Sequence, residues 1–69
     1  MKTPDATLSN WDITYSRGYW YLQGTISNDN KKRFKDGIFI TTSSIQKINF
    51  KKGIAVTKNT VYKLESDYV

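Results

Sequence analysis

The residues of this 69-residue chain best suited to chemistry are its lysines and arginines. They number eleven against six aspartates and glutamates, which leaves a net charge of +5. Such an excess suits binding to nucleic acid or to an acidic protein surface, although many small proteins carry it for solubility. Two segments hold most of the positive charge, and we predict that they supply the phosphate contacts of one binding site: Lys31, Lys32, Arg33, Lys35, Lys51 and Lys52.

Two tyrosines, Tyr19 and Tyr21, form a second candidate feature. They alternate along a predicted strand, and Phe39 extends the same patch from the next strand. Bases stack on aromatic rings in small barrels that bind single strands, at roughly 1–3 kcal/mol per base. The structural alternative is that these rings stabilise a thin sheet through cross-strand pairs, or close the second side of a barrel. The sequence leaves both interpretations open.

A polar group around Arg33 and Asp36, with Thr42 and Ser43, is a third candidate. It would suit a recognition cluster. The favoured interpretation is structural: Asp36 shapes its own turn, and Arg33 pairs with Asp36 or with backbone carbonyls. Short polar side chains at strand ends usually satisfy nearby backbone groups in this way.

Catalysis is disfavoured by what the chain lacks. It contains no histidine and no cysteine, which removes the commonest general base and the thiolate ligands. The six carboxylates are scattered, and the four glycines form no phosphate-binding loop. We therefore predict no enzyme, no catalytic residue, no metal site and no cofactor.

The elements that must position these residues are predicted to be strands, organised around the stretch from Gly18 to Ser27. Side chains in an extended chain alternate between two faces. One face carries Trp20, Leu22, Gly24 and Ile26 and is predicted to face the core. We expect its three large residues, Trp20, Leu22 and Ile26, to be buried. The other face carries Tyr19, Tyr21, Gln23 and Thr25.

The remaining strands follow from alternation and turn residues. Residues 1–9 are interpreted as a flexible arm, residues 10–65 as one domain, and residues 66–69 as a tail. A hairpin joins the strand of Trp11, Ile13 and Tyr15 to the organising strand; separate strands follow over 37–45 and 46–50, then a final hairpin. Five or six short strands predict an all-β fold, a small antiparallel barrel or strongly curled sheet that is SH3-like or OB-like.

The positions of the loops follow from this strand count. If strands alternate up and down, the loops at 28–36 and 51–53 emerge at the same end of the sheet. That arrangement would gather the six basic residues into one cluster able to neutralise phosphates. The structural alternative is a solvated turn region whose lysines keep strand edges from pairing.

Several segments together resemble a family of short, uncharacterised proteins found on bacterial chromosomes, plasmids and phages. The resemblance spans roughly residues 19–65, and its most specific part is the run from Arg33 to Gly37 followed by Thr42-Ser43. The chain has an additional basic pair, Lys31-Lys32, before that run. The resemblance implies a fold and a mobile-element context, and it implies no activity.

Two functional hypotheses remain. The first is a non-enzymatic module that binds nucleic acid with little sequence specificity, through the basic end and the tyrosines. The second is a phage or mobile-element protein that binds, and inhibits or adapts, a host protein such as a defence nuclease. No apolar run reaches the ~20 residues that span a bilayer, so a cytoplasmic location without membrane contact is expected. Homo-oligomers formed through remaining strand edges are compatible with either hypothesis.

Overall fold

Five strands build the protein, as seen in a computed structural model that describes residues 3–65. They are β1 (Ala6–Ser16), β2 (Tyr19–Ser27), β3 (Ile38–Asn49), β4 (Ile54–Thr57) and β5 (Val61–Leu64). They follow one another in sequence order around a closed barrel, and a short parallel pairing of β5 with β1 completes the closure. The predicted all-β small barrel, consistent with the SH3-like or OB-like class, is confirmed. The described residues contain no helix long and apolar enough to cross a membrane.

The β1–β2 hairpin forms where the sequence predicts it. Ser16 lies opposite Tyr19, so the connection has only two residues, Arg17 and Gly18. Both have positive φ, 52° and 85° respectively. A two-residue turn of this kind matches the twist of the strands that it joins, and glycine adopts the conformation without strain.

The start of β1 corrects the predicted flexible arm. Residues 6–9 belong to the strand, and Leu8 is fully buried. Ala6, Thr7 and Leu8 lie beside β5, which is distant in sequence. A polar segment with one leucine shows no periodicity by itself, so the partner strand decides its structure. Residues 1–2 of the proposed arm and the tail at 66–69 lie outside the described residues.

β3 corrects the predicted break between residues 45 and 46. It is one strand of twelve residues. Its first part pairs with β2 and its second part with β4, and the pairing register shifts between Ile45 and Lys47. A β-bulge of this kind bends a strand without ending it, so residues 3–65 contain five strands, one fewer than the largest predicted number.

The core contains two of the three large residues expected there. Leu22 and Ile26 are fully buried, whereas Trp20 is 55% exposed. Trp20 does share a face with Leu22, since Tyr15 lies opposite it in β1. However, β2 pairs with β3 only from Tyr21 onward. The tip of the β1–β2 hairpin therefore extends beyond the part of the barrel that β3 covers, and Trp20 lies on this tip.

A bulge in β1 depends on Gly24. The register of β1 against β2 shifts between Ser9 and Asp12. A Cβ atom at Gly24 would lie 3.1 Å from the Ser9 carbonyl oxygen and 3.1 Å from both Cα and Cβ of Trp11. Only glycine lets the two strands approach this closely, and Trp11 is thereby placed against the core.

The connections divide between two ends of the barrel, because consecutive strands reverse direction. The β1–β2 and β3–β4 turns lie at one end, which we call the aromatic end. The β2–β3 loop, the β4–β5 turn and residues 3–5 lie at the other, which we call the loop end. Hydrogen bonds within the loop end support this grouping: Asn30 N–H donates to the Asp5 carbonyl at 2.7 Å, and Asp5 N–H to the Val61 carbonyl at 2.7 Å.

Candidate binding site

The six predicted basic residues do not gather at one end. Lys31, Lys32, Arg33 and Lys35 lie in the β2–β3 loop at the loop end, and Lys51 and Lys52 lie in the β3–β4 turn at the aromatic end. The prediction counted two strands between residues 37 and 50. Because β3 is continuous, the direction of every later element is reversed relative to that prediction. The single six-residue cluster is therefore wrong.

Asp29 organises the loop end. Its side chain is only 1% exposed, and its carboxylate accepts hydrogen bonds from the backbone N–H groups of Lys31, Arg33 and Phe34 at 3.0, 3.0 and 3.3 Å. Burial alone would raise the pKa of this carboxyl. The hydrogen bonds from the Arg33 side chain and from the backbone N–H groups, together with the Arg33 charge, have a larger combined effect than burial. They lower the pKa of Asp29 below its ordinary value.

Arg33 is held by contacts within the protein. Its Nε lies 3.4 Å from Asp29 Oδ2, and its Nη1 donates to Thr60 Oγ1 at 2.9 Å. The guanidinium carbon also lies 5.6 Å from the centre of the Phe34 ring. An arginine engaged in this way stabilises the loop, and most of its donors are already used.

The polar group around Asp36 follows the structural interpretation, with a different partner for the arginine. Asp36 Oδ1 accepts the Asn28 N–H at 2.9 Å and so ties the two sides of the loop together. Arg33 pairs with Asp29 and not with Asp36. Thr42 Oγ1 accepts the buried Leu22 N–H at 3.1 Å and donates to the Ser43 carbonyl. These groups satisfy nearby backbone.

The lysines of the loop end are exposed. Lys31 Nζ donates to the backbone carbonyl of Asn59 and so joins the β2–β3 loop to the β4–β5 turn. Lys32 and Lys35 line an open groove together with Phe34 and Asp36. Positive charge at this end therefore comes mainly from lysines on a loop that Asp29 and Arg33 hold in shape.

The predicted tyrosine face lies on the outside of the barrel. Tyr19 is 59% exposed and Tyr21 is half-buried. Phe39 lies opposite Thr25 in the β2–β3 register, whereas Tyr21 lies opposite Ser44. Gln23 and Thr41 separate the two rings, so Phe39 does not extend the tyrosine patch as predicted.

Four aromatic residues that were not predicted as binding residues lie at the aromatic end. Tyr15 and Trp20 pair with ring centres 4.8 Å apart and planes inclined by 60°. Trp11 and Phe50 stack with centres 6.3 Å apart and an angle of 26°. Tyr15, Trp20 and Phe50 are 59%, 55% and 62% exposed. Ile13 packs partly into the core between them.

The charges around these rings are mostly positive. Arg17 occupies the β1–β2 turn and Lys51 and Lys52 the β3–β4 turn, and all three are exposed. Among residues 3–65, the acidic residues at this end are Asp12 and Glu65. Asp12 accepts the neighbouring Ile13 N–H at 2.8 Å, and Glu65 offers its backbone carbonyl to Trp11 Nε1 at 2.9 Å.

One signal in the sequence pointed to this site. Tyr15 and Trp20 form the second cross-strand pair from a two-residue turn, and residues this near to such a turn lie at the tip of a hairpin. The tip of a hairpin is far from the middle of a barrel, so side chains on the core-facing side of the strands can be exposed to solvent there. Alternation identifies the face of a residue but carries no information on its depth.

Comparisons with known proteins found no family model, no curated protein and no solved structure that matches this chain. The resemblance to short plasmid and phage proteins therefore stays a prediction. Among residues 3–65, no three histidine, cysteine, aspartate or glutamate side chains lie together as metal ligands would.

Proposed function

We propose that the protein binds single-stranded nucleic acid, with little sequence specificity, through its aromatic end. The observation that carries the proposal is the exposed ring pair of Tyr15 and Trp20 beside Arg17. Proteins that bind single strands combine stacking rings with cations that track the backbone. This site differs from the tyrosine face and the basic loop that the sequence predicts, and it keeps only Lys51 and Lys52 of the predicted residues.

The energetic case rests on desolvation. Large exposed aromatic surface is costly in water, and the flat face of an unpaired base covers it without needing any matched hydrogen bond. Arg17, Lys51 and Lys52 supply positive charge at the same end, where phosphates beside a stacked base would lie. Neutralising phosphates releases counterions, which contributes a favourable term that depends on salt.

The rings are tested by titrating the protein with oligothymidylate and measuring intrinsic fluorescence. Trp20→Ala should weaken binding by about 1–3 kcal/mol, as expected when one base loses its stacking partner. Phe39→Ala is the matched control, since Phe39 is 63% exposed but distant from the aromatic end. It should leave the affinity unchanged. Equal losses in both variants would contradict the proposed site.

The cations are tested with two double variants that remove the same charge. Three contacts predict a slope of log K against log[salt] of roughly −2 for a single strand. Lys51→Ala with Lys52→Ala should reduce that slope by about 1.4, whereas Lys31→Ala with Lys32→Ala should change it little. A larger effect of the second pair would place the site at the loop end.

A second candidate function is binding of an acidic protein surface, and a different observation favours it. At the loop end, Phe34 is 41% exposed, Ile38 43% and Phe39 63%, beside Lys35. Apolar residues with a basic rim are typical of protein interfaces. This candidate predicts feeble oligonucleotide binding even at ~50 mM salt. It also predicts a host protein that co-purifies from nuclease-treated lysate and is lost with Phe39→Ala.

A further inference from the structure

The four aromatic residues of the aromatic end form two separate surfaces. Tyr15 and Trp20 make one pair on the hairpin tip, and Trp11 and Phe50 make the other at the β3–β4 turn. We propose that these pairs are two stacking subsites that engage one unpaired strand of at least about four nucleotides. This inference rests on the proposed nucleic-acid function and adds the number of stacking subsites and the length of the ligand.

The spacing of the pairs comes from β1. Trp11, Ile13 and Tyr15 share its inner face, because Ile13 lies opposite the buried Leu22 and Tyr15 lies opposite Trp20. Trp11 and Tyr15 are four residues apart beyond the bulge, which corresponds to about 13 Å at 3.3 Å per residue. Stacked nucleotides advance about 3.4 Å along one strand, so a ligand that reaches both pairs needs about four of them.

The exposure of the rings supports an unpaired ligand. Phe50 and Trp20 each present more than half of their surface to solvent. In a duplex, neighbouring bases cover both faces of each base, and a ring can stack only on a base that has left the helix. Single strands offer these faces directly. The two pairs therefore favour an unpaired strand over the same sequence in a duplex.

Each subsite has its own adjacent cations. Arg17 lies in the two-residue turn between Tyr15 and Trp20, and Lys51 and Lys52 directly follow Phe50. A phosphate next to a base at either subsite thus has a cation close by in the chain. Ile13 lies between the pairs and offers an apolar surface without a charge of its own. This distribution fits two points of attachment joined by a bridging segment.

The test uses oligothymidylates of two, four, six and eight nucleotides. Affinity should rise stepwise when the strand becomes long enough to reach the second pair. Phe50→Ala should remove that step: it should weaken binding of the octamer by about 5- to 150-fold, the range for one stacked base. It should change binding of the dimer only slightly, because a dimer can still bind at Tyr15 and Trp20. Phe39→Ala, equally exposed but remote, should behave as wild type.

Two single-tryptophan variants report on the subsites separately. Trp11→Phe leaves Trp20 as the reporter of the hairpin tip, and Trp20→Phe leaves Trp11 as the reporter of the other pair. Both substitutions keep an aromatic ring. In at least one of the two variants, the fluorescence of the remaining tryptophan should change only when the added strand has about four nucleotides or more. Circular dichroism of every variant confirms that the barrel is folded.

The outcomes separate this inference from the proposed function. Suppose that oligonucleotides bind and that Trp20→Ala weakens their binding. The function then stands, but the inference is overturned if Phe50→Ala has no effect on affinity, or has the same effect at every strand length. A duplex that binds as tightly as the single strand would contradict both the inference and the single-strand preference of the proposed function. If no oligonucleotide binds at ~50 mM salt, a condition that favours non-specific binding, the proposed function and the inference fail together.

Discussion

Replacing Asp29 by asparagine should destabilise the protein strongly, because two buried acceptor atoms serve five donors. Oδ2 accepts the Arg33 N–H, the Phe34 N–H and Arg33 Nε, and Oδ1 accepts the Lys31 N–H and Arg33 Nη2. Asparagine keeps one oxygen and places an NH₂ group where the other was. At least two donors then face another donor, whichever way the amide is turned.

The size of the effect follows from those contacts. A hydrogen bond to a charged group contributes about 1.5–3 kcal/mol. Arg33 is one-third exposed and can regain water, so we expect a loss of about 3 kcal/mol rather than the full sum. A domain of this length is stable by roughly 3–10 kcal/mol, and the loss corresponds to a fall in Tm of about 12–24 °C.

The pH dependence gives a second measurement on the same residue. The pKa of Asp29 is lower in the folded protein than in the unfolded chain, so the unfolded state takes up the proton first as pH falls. The carboxylate's contribution is complete above the unfolded value of about 3.9, and it is lost as pH falls from there through the lower folded pKa. Tm should therefore fall on acidification, and part of that fall should be missing in Asp29→Asn.

Thermal unfolding followed by circular dichroism between pH 7 and pH 3 measures both effects. Asp36→Asn is the matched control, since Asp36 lies in the same loop but accepts one hydrogen bond, from the exposed Asn28 N–H. It should lower Tm only slightly. If Asp29→Asn and Asp36→Asn lower Tm equally at pH 7, or if Asp29→Asn falls in parallel with wild type on acidification, the reasoning on this carboxylate is wrong.

Two further substitutions test the barrel itself. Leu22→Ala should cost about 2–5 kcal/mol, because Leu22 is fully buried, and Phe39→Ala should cost far less; a Leu22→Ala protein that melts within a few degrees of wild type would contradict the core assignment. Gly24→Ala should cost about 1–3 kcal/mol in urea unfolding, because the new Cβ would press on Trp11 and on the Ser9 carbonyl. An unchanged unfolding midpoint for Gly24→Ala would show that the β1 bulge yields easily.

Much of the fold was predictable because local chemistry specifies it. Alternation placed Leu22 and Ile26 on one face and Tyr19 and Tyr21 on the other, and both assignments agree with their burial. The hairpin at Arg17 follows from the glycine after it. These features need only neighbouring residues, since a strand's two faces and a tight turn's dihedral angles are set within a few positions.

The candidate site was less predictable, because it depends on which segments meet. Whether residues 45–47 form a turn or a bulge reverses the end at which Lys51 and Lys52 emerge, and either structure suits the local sequence. Arg33 pairs with Asp29, four residues earlier, and not with Asp36. The conformation of the loop determines which of the two carboxylates Arg33 contacts. Whether the chain reverses or continues at residues 45–47 thus decides the end of the barrel at which Lys51 and Lys52 lie.

The sequence by itself determined the all-β class, the faces of β2 and the turn at Gly18, since each of these depends on side-chain alternation and backbone freedom. Only the tertiary structure decided that Trp20 is exposed while Leu22, two residues away on the same face, is buried. The reason is that burial depends on where neighbouring strands end. β3 begins to cover β2 at Tyr21, and the core face beyond that point becomes the surface of the aromatic end.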